Sequence, residues 1–172
     1  MITAEQIKTL LNLKPHPKEG GYFAETYRSE ETIPEEALPK RYHGDRPYAT
    51  AIYYFVTPES FSMIHRLKSD EIFHFYLGDP VEMLQLYPDG TGRMITLGSN
   101  LLSGMAPQIL VPKGVWQGAR LRHGGRFALL GTTVSPGFEL VDYEAGERDQ
   151  LLKSYPEFRD LILALTKGNI LG

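Results

Sequence analysis

Between Gly21 and Tyr143 the chain is cut into ten short runs rich in β-branched and aromatic residues: YFAETYRS, YATAIYYFVT, FSMIHRL, EIFHFYLG, VEMLQLY, RMITLG, QILVP, VWQGARL, RFALLGTTV and FELVDY. Parallel neighbours need crossovers of about a dozen residues or more, usually helical, and no helix-period segment separates these runs. The pattern predicts an all-β chain folded as an antiparallel sandwich or barrel. Pro88-Asp89-Gly90 and His123-Gly124-Gly125 place turn residues at two junctions, and both are expected to close hairpins. Helical signals are confined to the ends. Thr3 with Gln6 makes a capping box ahead of Ile7, Leu10 and Leu11, and Pro15 and Pro17 stop that helix. After Glu144, Pro156 opens a second helical stretch whose stripe of Phe158, Leu161, Ile162 and Leu165 is expected to pack on the outside of the sheet.

The segment from Glu30 to Arg46 is the one long polar loop, with two prolines and eight charged side chains. It reads either as a lid or as a disordered insertion. At 172 residues the whole chain, 1–172, is expected to be one domain. Its formal net charge of -3 comes from 18 basic and 21 acidic residues without blocks of either sign, which gives no footprint for nucleic acid or an acidic membrane. Cysteine is absent, which excludes disulfides, thiolate metal sites and thiol nucleophiles. No leader or membrane-length apolar run stands in the sequence, so a cytoplasmic location is expected.

The stretch Phe61 to Gly78, FSMIHRLKSDEIFHFYLG, concentrates the chemistry. Side chains alternate faces along a strand. Phe61, Met63, His65 and Leu67 therefore share one face; after the turn at Lys68-Ser69, Glu71, Phe73, Phe75 and Leu77 share another, with Ile72, His74 and Tyr76 opposite. His65 and Glu71 are expected to point into one interior, while His74 is expected to be a packed or interface residue. A carboxylate on an apolar face needs a partner, since an unpaired buried charge costs several kcal/mol.

HRLKSDEIFHFYLG resembles the first cupin motif, with His65 in the first position, Glu71 three residues beyond Leu67, and Gly78 six residues beyond Glu71. Leu67 stands where that motif has its second histidine. Pro112-Lys113-Gly114-Val115-Trp116-Gln117 resembles the second motif, with Gln117 in place of its histidine. Taken with HPKEGGYFAETYRS, LYPDG and VSPGFEL, these segments resemble the cupin 5 family (DUF985) from His16 to Leu140. The resemblance implies a double-stranded β-helix, or jelly roll, with short terminal helices, and commonly a homodimer.

Metal-binding cupins hold an ion with three histidines and a glutamate. The set available here is His65, Glu71 and Gln117, and Leu67 cannot ligate. The alternative is metal-free: His65 and Glu71 as a hydrogen-bonded acid/base pair, with Gln117 orienting a substrate, by analogy with cupin-fold deoxysugar epimerases that use a pocket histidine. Arg28 is a candidate for a substrate carboxylate or phosphate, and Glu139 and Asp142 are rim candidates, each set against an ordinary surface ion pair. His16, His43 and His123, flanked by proline or glycine, are expected to be solvated, and Trp116 to be a packing or interface residue. Gly20-Gly21 lacks the spacing of a phosphate loop. The expected function is binding of a small polar metabolite within the barrel, with metal-independent isomerase or epimerase chemistry on a carbohydrate-like or carboxylate ligand. A non-catalytic binding or sensing protein and a metal-dependent oxygenase are the competing classes.

Overall fold

The computed structural model describes residues 2–167. Helix α1 (Ala4–Leu10) starts as its capping residues require: the Thr3 hydroxyl accepts the Gln6 N–H at 3.2 Å and the Gln6 amide oxygen accepts the Thr3 N–H at 2.9 Å. Among the described residues thirteen strands follow: β1 (Lys14–Pro15), β2 (Tyr22–Arg28), β3 (Thr32–Ile33), β4 (Arg46–Pro47), β5 (Thr50–Val56), β6 (Ser62–Arg66), β7 (Asp70–Gly78), β8 (Val81–Leu86), β9 (Gly92–Leu97), β10 (Gln108–Val111), β11 (Trp116–Leu121), β12 (Ala128–Ser135) and β13 (Glu144–Ala145). Helices α2 (Arg148–Ser154) and α3 (Arg159–Ala164) close the described chain. None of these helices is long and apolar enough to cross a membrane.

Two antiparallel sheets face each other as a jelly roll. One has the order β1-β2-β5-β12-β7-β10 and the other β13-β6-β11-β8-β9; β3 and β4 pair separately. The inward residues of both sheets, among them Tyr54, Val56, Phe73 and Leu130 from the first and Val81, Met83, Ala119 and Leu121 from the second, form one buried core. Burying such side chains is worth about 1.5–3 kcal/mol each for the larger ones. The outer face of the five-stranded sheet is covered as the helical stripe predicts: Ile64, Leu84 and Leu86 pack with Leu151, Tyr155, Ile162 and Leu165, and Trp116 joins them. Helix α1 covers part of the other outer face, with Ile7 and Leu13 against Phe55, Phe127 and Leu129.

Two local expectations are corrected. The turn at 88–90 does close the β8–β9 hairpin, but the turn at 123–125 does not close one. β11 pairs with β6 and β8, whereas β12 pairs with β5 and β7, so this turn carries the chain between sheets. Asp79 directs the crossing, accepting the Arg126 N–H at 2.7 Å, while its own N–H reaches Phe127 O at 2.8 Å. The run FELVDY is not a strand; Leu140–Asp142 forms a 3₁₀ turn, and Phe138 gives its N–H to the Thr50 hydroxyl instead of to a ladder.

The loop 30–46 is fastened along its length, which removes the disordered-insertion reading. Arg46, one of the eight charges of this polar segment, is buried and grips Asp142 with two bonds of 2.7 Å. Its remaining nitrogen donates to the carbonyls of His43, Gly44 and Asp45. Tyr42 is also buried, and with Arg41 it holds the corner between β6 and β7 through Lys68 O and the Ser69 hydroxyl.

Candidate functional site

Beneath that corner the barrel holds a cavity of about 220 Å³. Its wall is made by β2, β5, β7 and β12 together with the loop before β2 and the segment after β12. The polar lining consists of His16, Glu19, Glu25, Arg28, Thr50, Glu71, Thr132 and Glu139; Phe23, Ile52, Leu67, Val134, Phe138 and Leu140 supply the apolar part.

Strand alternation places Glu71 as expected, inward beside Phe73 and almost wholly buried. Its Oε2 accepts a hydrogen bond of 2.5 Å from Gln117 Nε2. Burial, with the Glu19 carboxylate adding to it, pushes the Glu71 carboxyl up from 4.5 to about 7; the charge of His65 and hydrogen bonds from Gln117 and Thr132 offset part of that rise.

His65 also points inward, and Gln117 stands directly opposite it in the β6–β11 register. However, β6 bulges between Ser62 and His65, so Ser62 lies on the interior side too, contrary to simple alternation. Its hydroxyl donates to Glu19 Oε1 at 2.6 Å. The expected direct bond between His65 and Glu71 is absent. His65 Nδ1 meets Met63 O at 2.7 Å, its Nε2 lies 3.7 Å from Glu19 Oε2, and Tyr143 stacks on its ring. The turn at Lys68-Ser69 does not pair β6 with β7; it crosses between sheets, so the two residues approach across the barrel rather than along a hairpin. His65 and Gln117 form the layer behind the cavity wall, since neither lines it.

Glu19 and His16 are the cavity-lining residues that strand reasoning missed. His16, expected to be solvated, keeps only 8% of its side chain exposed, and Glu19 only 12%. His16 Nδ1 accepts the Glu19 N–H at 2.9 Å, which leaves the ring proton on Nε2, 3.9 Å from Glu19 Oε2. Burial lowers the pKa of His16, with Glu19 opposing and His65 adding to that fall. The loop enters the barrel because Gly20 and Gly21 adopt positive φ in a space without room for a side chain: a Cβ at Gly20 would sit 2.3 Å from Phe61 O, and one at Gly21 2.8 Å from the Tyr54 hydroxyl. The only signal in the sequence was that glycine pair directly after Glu19. His43 and His123 are exposed as expected, and His74 lies on the outer face with Thr133, Gln108 and Tyr76.

Arg28 and Glu139 meet at the cavity wall. Arg28 binds Glu139 at 2.7 Å, Glu25 at 3.1 and 3.0 Å, and Phe138 O at 3.2 Å. Both residues therefore line the cavity, but each already has a charged partner.

The donor set does not fit the metal that cupin relatives imply. Leu67 presents carbon at the second-histidine position, Gln117 turns its N–H toward Glu71, and His16 Nε2 bears a proton. Among the described residues no three His, Cys, Asp or Glu side chains are placed to share an ion. One imidazole with carboxylates is a poor match for the nitrogen-rich sites that hold transition metals tightly.

The sheet order and the pair of half-preserved motifs agree with the sequence as a whole: residues 5–146 match the family described as cupin superfamily (DUF985), Cupin_5. The chain belongs to this family. This DUF985 cupin is 30% identical over 154 residues to the uncharacterized protein YML079W of Saccharomyces cerevisiae, spanning 84% of this chain and 73% of the yeast protein. Among solved structures, a hypothetical protein from Leishmania major superposes with a TM-score of 0.86 at 32% identity over 97% of this chain and 100% of that one. Protein SO0799 from Shewanella oneidensis gives 0.86 and 32% over 98% and 100%. Oxalate decarboxylase from Bacillus subtilis gives 0.54 at 12% identity over 94% of this chain and 41% of that enzyme, which is a likeness of fold alone.

Proposed function

We propose that this DUF985 cupin binds a small polar metabolite in the cavity and moves a proton on it without a metal, as an isomerase or epimerase does. The observation that carries the reading is Glu71: a buried carboxyl in the cavity wall, raised to about 7 and thus able both to give and to take a proton at neutral pH. Glu19 is the second cavity-facing acid/base group. His65 acts behind it, with Nδ1 anchored on Met63 O and Nε2 turned to the Glu19 carboxylate. Gln117 positions Glu71 through its amide rather than touching the ligand. Separate carbonyl- and hydroxyl-bearing ligands incubated in D₂O test this by NMR. Deuterium is expected to enter a carbon-bound position with the natural chain, with or without chelator, and to stop entering with Glu71→Gln. Binding without exchange in every case would make the chain a non-catalytic binding or sensing protein.

The metal-dependent oxygenase reading is the weaker one. Oxalate decarboxylase of Bacillus subtilis has Mn(II) centres, but the donors around Glu71 lack the nitrogen ligands such a site uses. For the assembly we propose a homodimer through the uncovered part of the six-stranded sheet, where Tyr76 and Leu110 are about half exposed beside Tyr53 and His74.

A further inference from the structure

The charges around the cavity do not balance. Among the described residues four carboxyl groups, Glu19, Glu25, Glu71 and Glu139, line it against one guanidinium, Arg28, and His65 behind the wall adds a positive charge only when protonated, 3.7 Å from Glu19. Arg28 is committed to Glu25 and Glu139, so an incoming carboxylate or phosphate would have to displace resident anions to reach it. His16 adds no positive charge, because a proton on Nδ1 would face the Glu19 N–H that this nitrogen now accepts. The other cations nearby, Arg41, Arg66, Lys68 and Lys113, line a separate groove on the far side of Leu67. Leu67 forms part of both walls, so it divides the acidic interior from an outer groove of mixed charge, where Arg66 pairs with Glu144 and Lys68 lies 3.9 Å from Asp142.

We infer that the ligand of this cavity carries a protonated amine, held against Glu19 and Glu71. This rests on the proton-transfer reading and narrows its substrate class: amine-bearing polar metabolites fit, and carboxylates or phosphates do not. An ammonium supplies up to three N–H donors to carboxyl groups, one of which, Glu71, is held protonated by burial and, after that, by the neighbouring Glu19. Its entry therefore releases the proton of Glu71 to solvent. The titratable and charged groups that shape this response are Glu19, His16 and His65 around Glu71, with Glu25, Arg28 and Glu139 further along the wall. A neutral polyol leaves the charge unchanged, and an anion draws a proton in.

The test uses three probes of one carbon skeleton: isopropanolamine as the cation, propylene glycol as the neutral form and lactate as the anion. Ligand-observed NMR gives their affinities for the natural chain, and calorimetry in two buffers of different ionisation enthalpy at about pH 6 gives the protons exchanged. Isopropanolamine is expected to bind about tenfold or more tightly than either other probe, with proton release. Glu71→Gln and Glu19→Gln should each remove that advantage, and Lys68→Gln, in the outer groove, should leave all three unchanged. The ranking on the natural chain needs no variant to fold. Lactate binding as tightly as isopropanolamine, proton uptake with isopropanolamine, or no contact from isopropanolamine would each overturn the inference. Lactate preference would do so while leaving proton transfer by Glu71 standing, whereas amine binding without deuterium exchange on any ligand would remove the catalytic reading and keep the ligand class.

Discussion

Replacing Glu71 with glutamine should make the protein more stable, and the gain should appear only as pH rises. In the unfolded chain this carboxyl ionises near its ordinary 4.5, whereas in the fold it holds its proton to about 7. Below the lower value both states are protonated and the site contributes nothing to pH dependence. Between the two values the unfolded chain releases a proton that the folded chain keeps, so stability falls with rising pH. Above the upper value the loss is complete. At about 1.4 kcal/mol for each tenfold difference in proton affinity, the gap amounts to about 3 kcal/mol. The amide introduced by Glu71→Gln would keep a partner for Gln117 and has nothing to ionise. The stability of Glu71→Gln minus that of the natural chain should therefore rise by about 2 to 3 kcal/mol between about pH 5 and about pH 8.5. In melting temperature this is about 5 to 10 °C for a chain of this size. Urea denaturation at a series of pH values measures it, and the subtraction removes titrations common to both proteins. A difference that stays flat or falls with pH would show that Glu71 is not the buried, proton-holding carboxyl described above.

The buried pair that fastens the long loop should be costly to break: Asp142→Ala leaves the Arg46 guanidinium inside without its carboxylate and should lower stability by about 3 to 5 kcal/mol in denaturant titration; a loss below about 1 kcal/mol would mean the pair is not desolvated. Leu67→His with Gln117→His restores the three-histidine, one-glutamate set of the metal-binding cupins. Elemental analysis is expected to find about one equivalent of transition metal in the double variant and little in the natural chain, provided the new imidazoles gain hydrogen-bond partners. A full equivalent in the natural chain, lost in His65→Ala, would reverse the metal-free reading. Light scattering should give twice the 19.4 kDa chain mass at micromolar concentration, and Tyr76→Asp should shift it toward the monomer; a natural chain at 19.4 kDa throughout would rule out the dimer.

Alternation along a strand is a local property, and what rests on it was legible in the sequence. The all-β character, the β8–β9 hairpin, the capping box at Thr3, the covering stripe of the C-terminal helices and the inward aim of His65 and Glu71 all follow from residue type and period. The spacing of two motifs further disclosed a cupin and, through Leu67 and Gln117, one with altered ligand positions. Which sheet a strand joins is a non-local property, and no count along the chain contains it. His123-Gly124-Gly125 has the residues of a hairpin turn, yet Asp79, 47 residues before Arg126, holds the chain in a crossing. Glu19 and His16 looked like loop residues because nothing nearby in sequence buries them; the barrel wall does, once two glycines let the backbone pass against Phe61 and Tyr54. Arg46 likewise was one of eight charges in a polar segment until Asp142, 96 residues away, met it in the interior. Only tertiary contact could turn the expected His65–Glu71 pair into two pairings, His65 with Glu19 and Glu71 with Gln117, because burial and charge act through space and the groups concerned come from four separate parts of the chain.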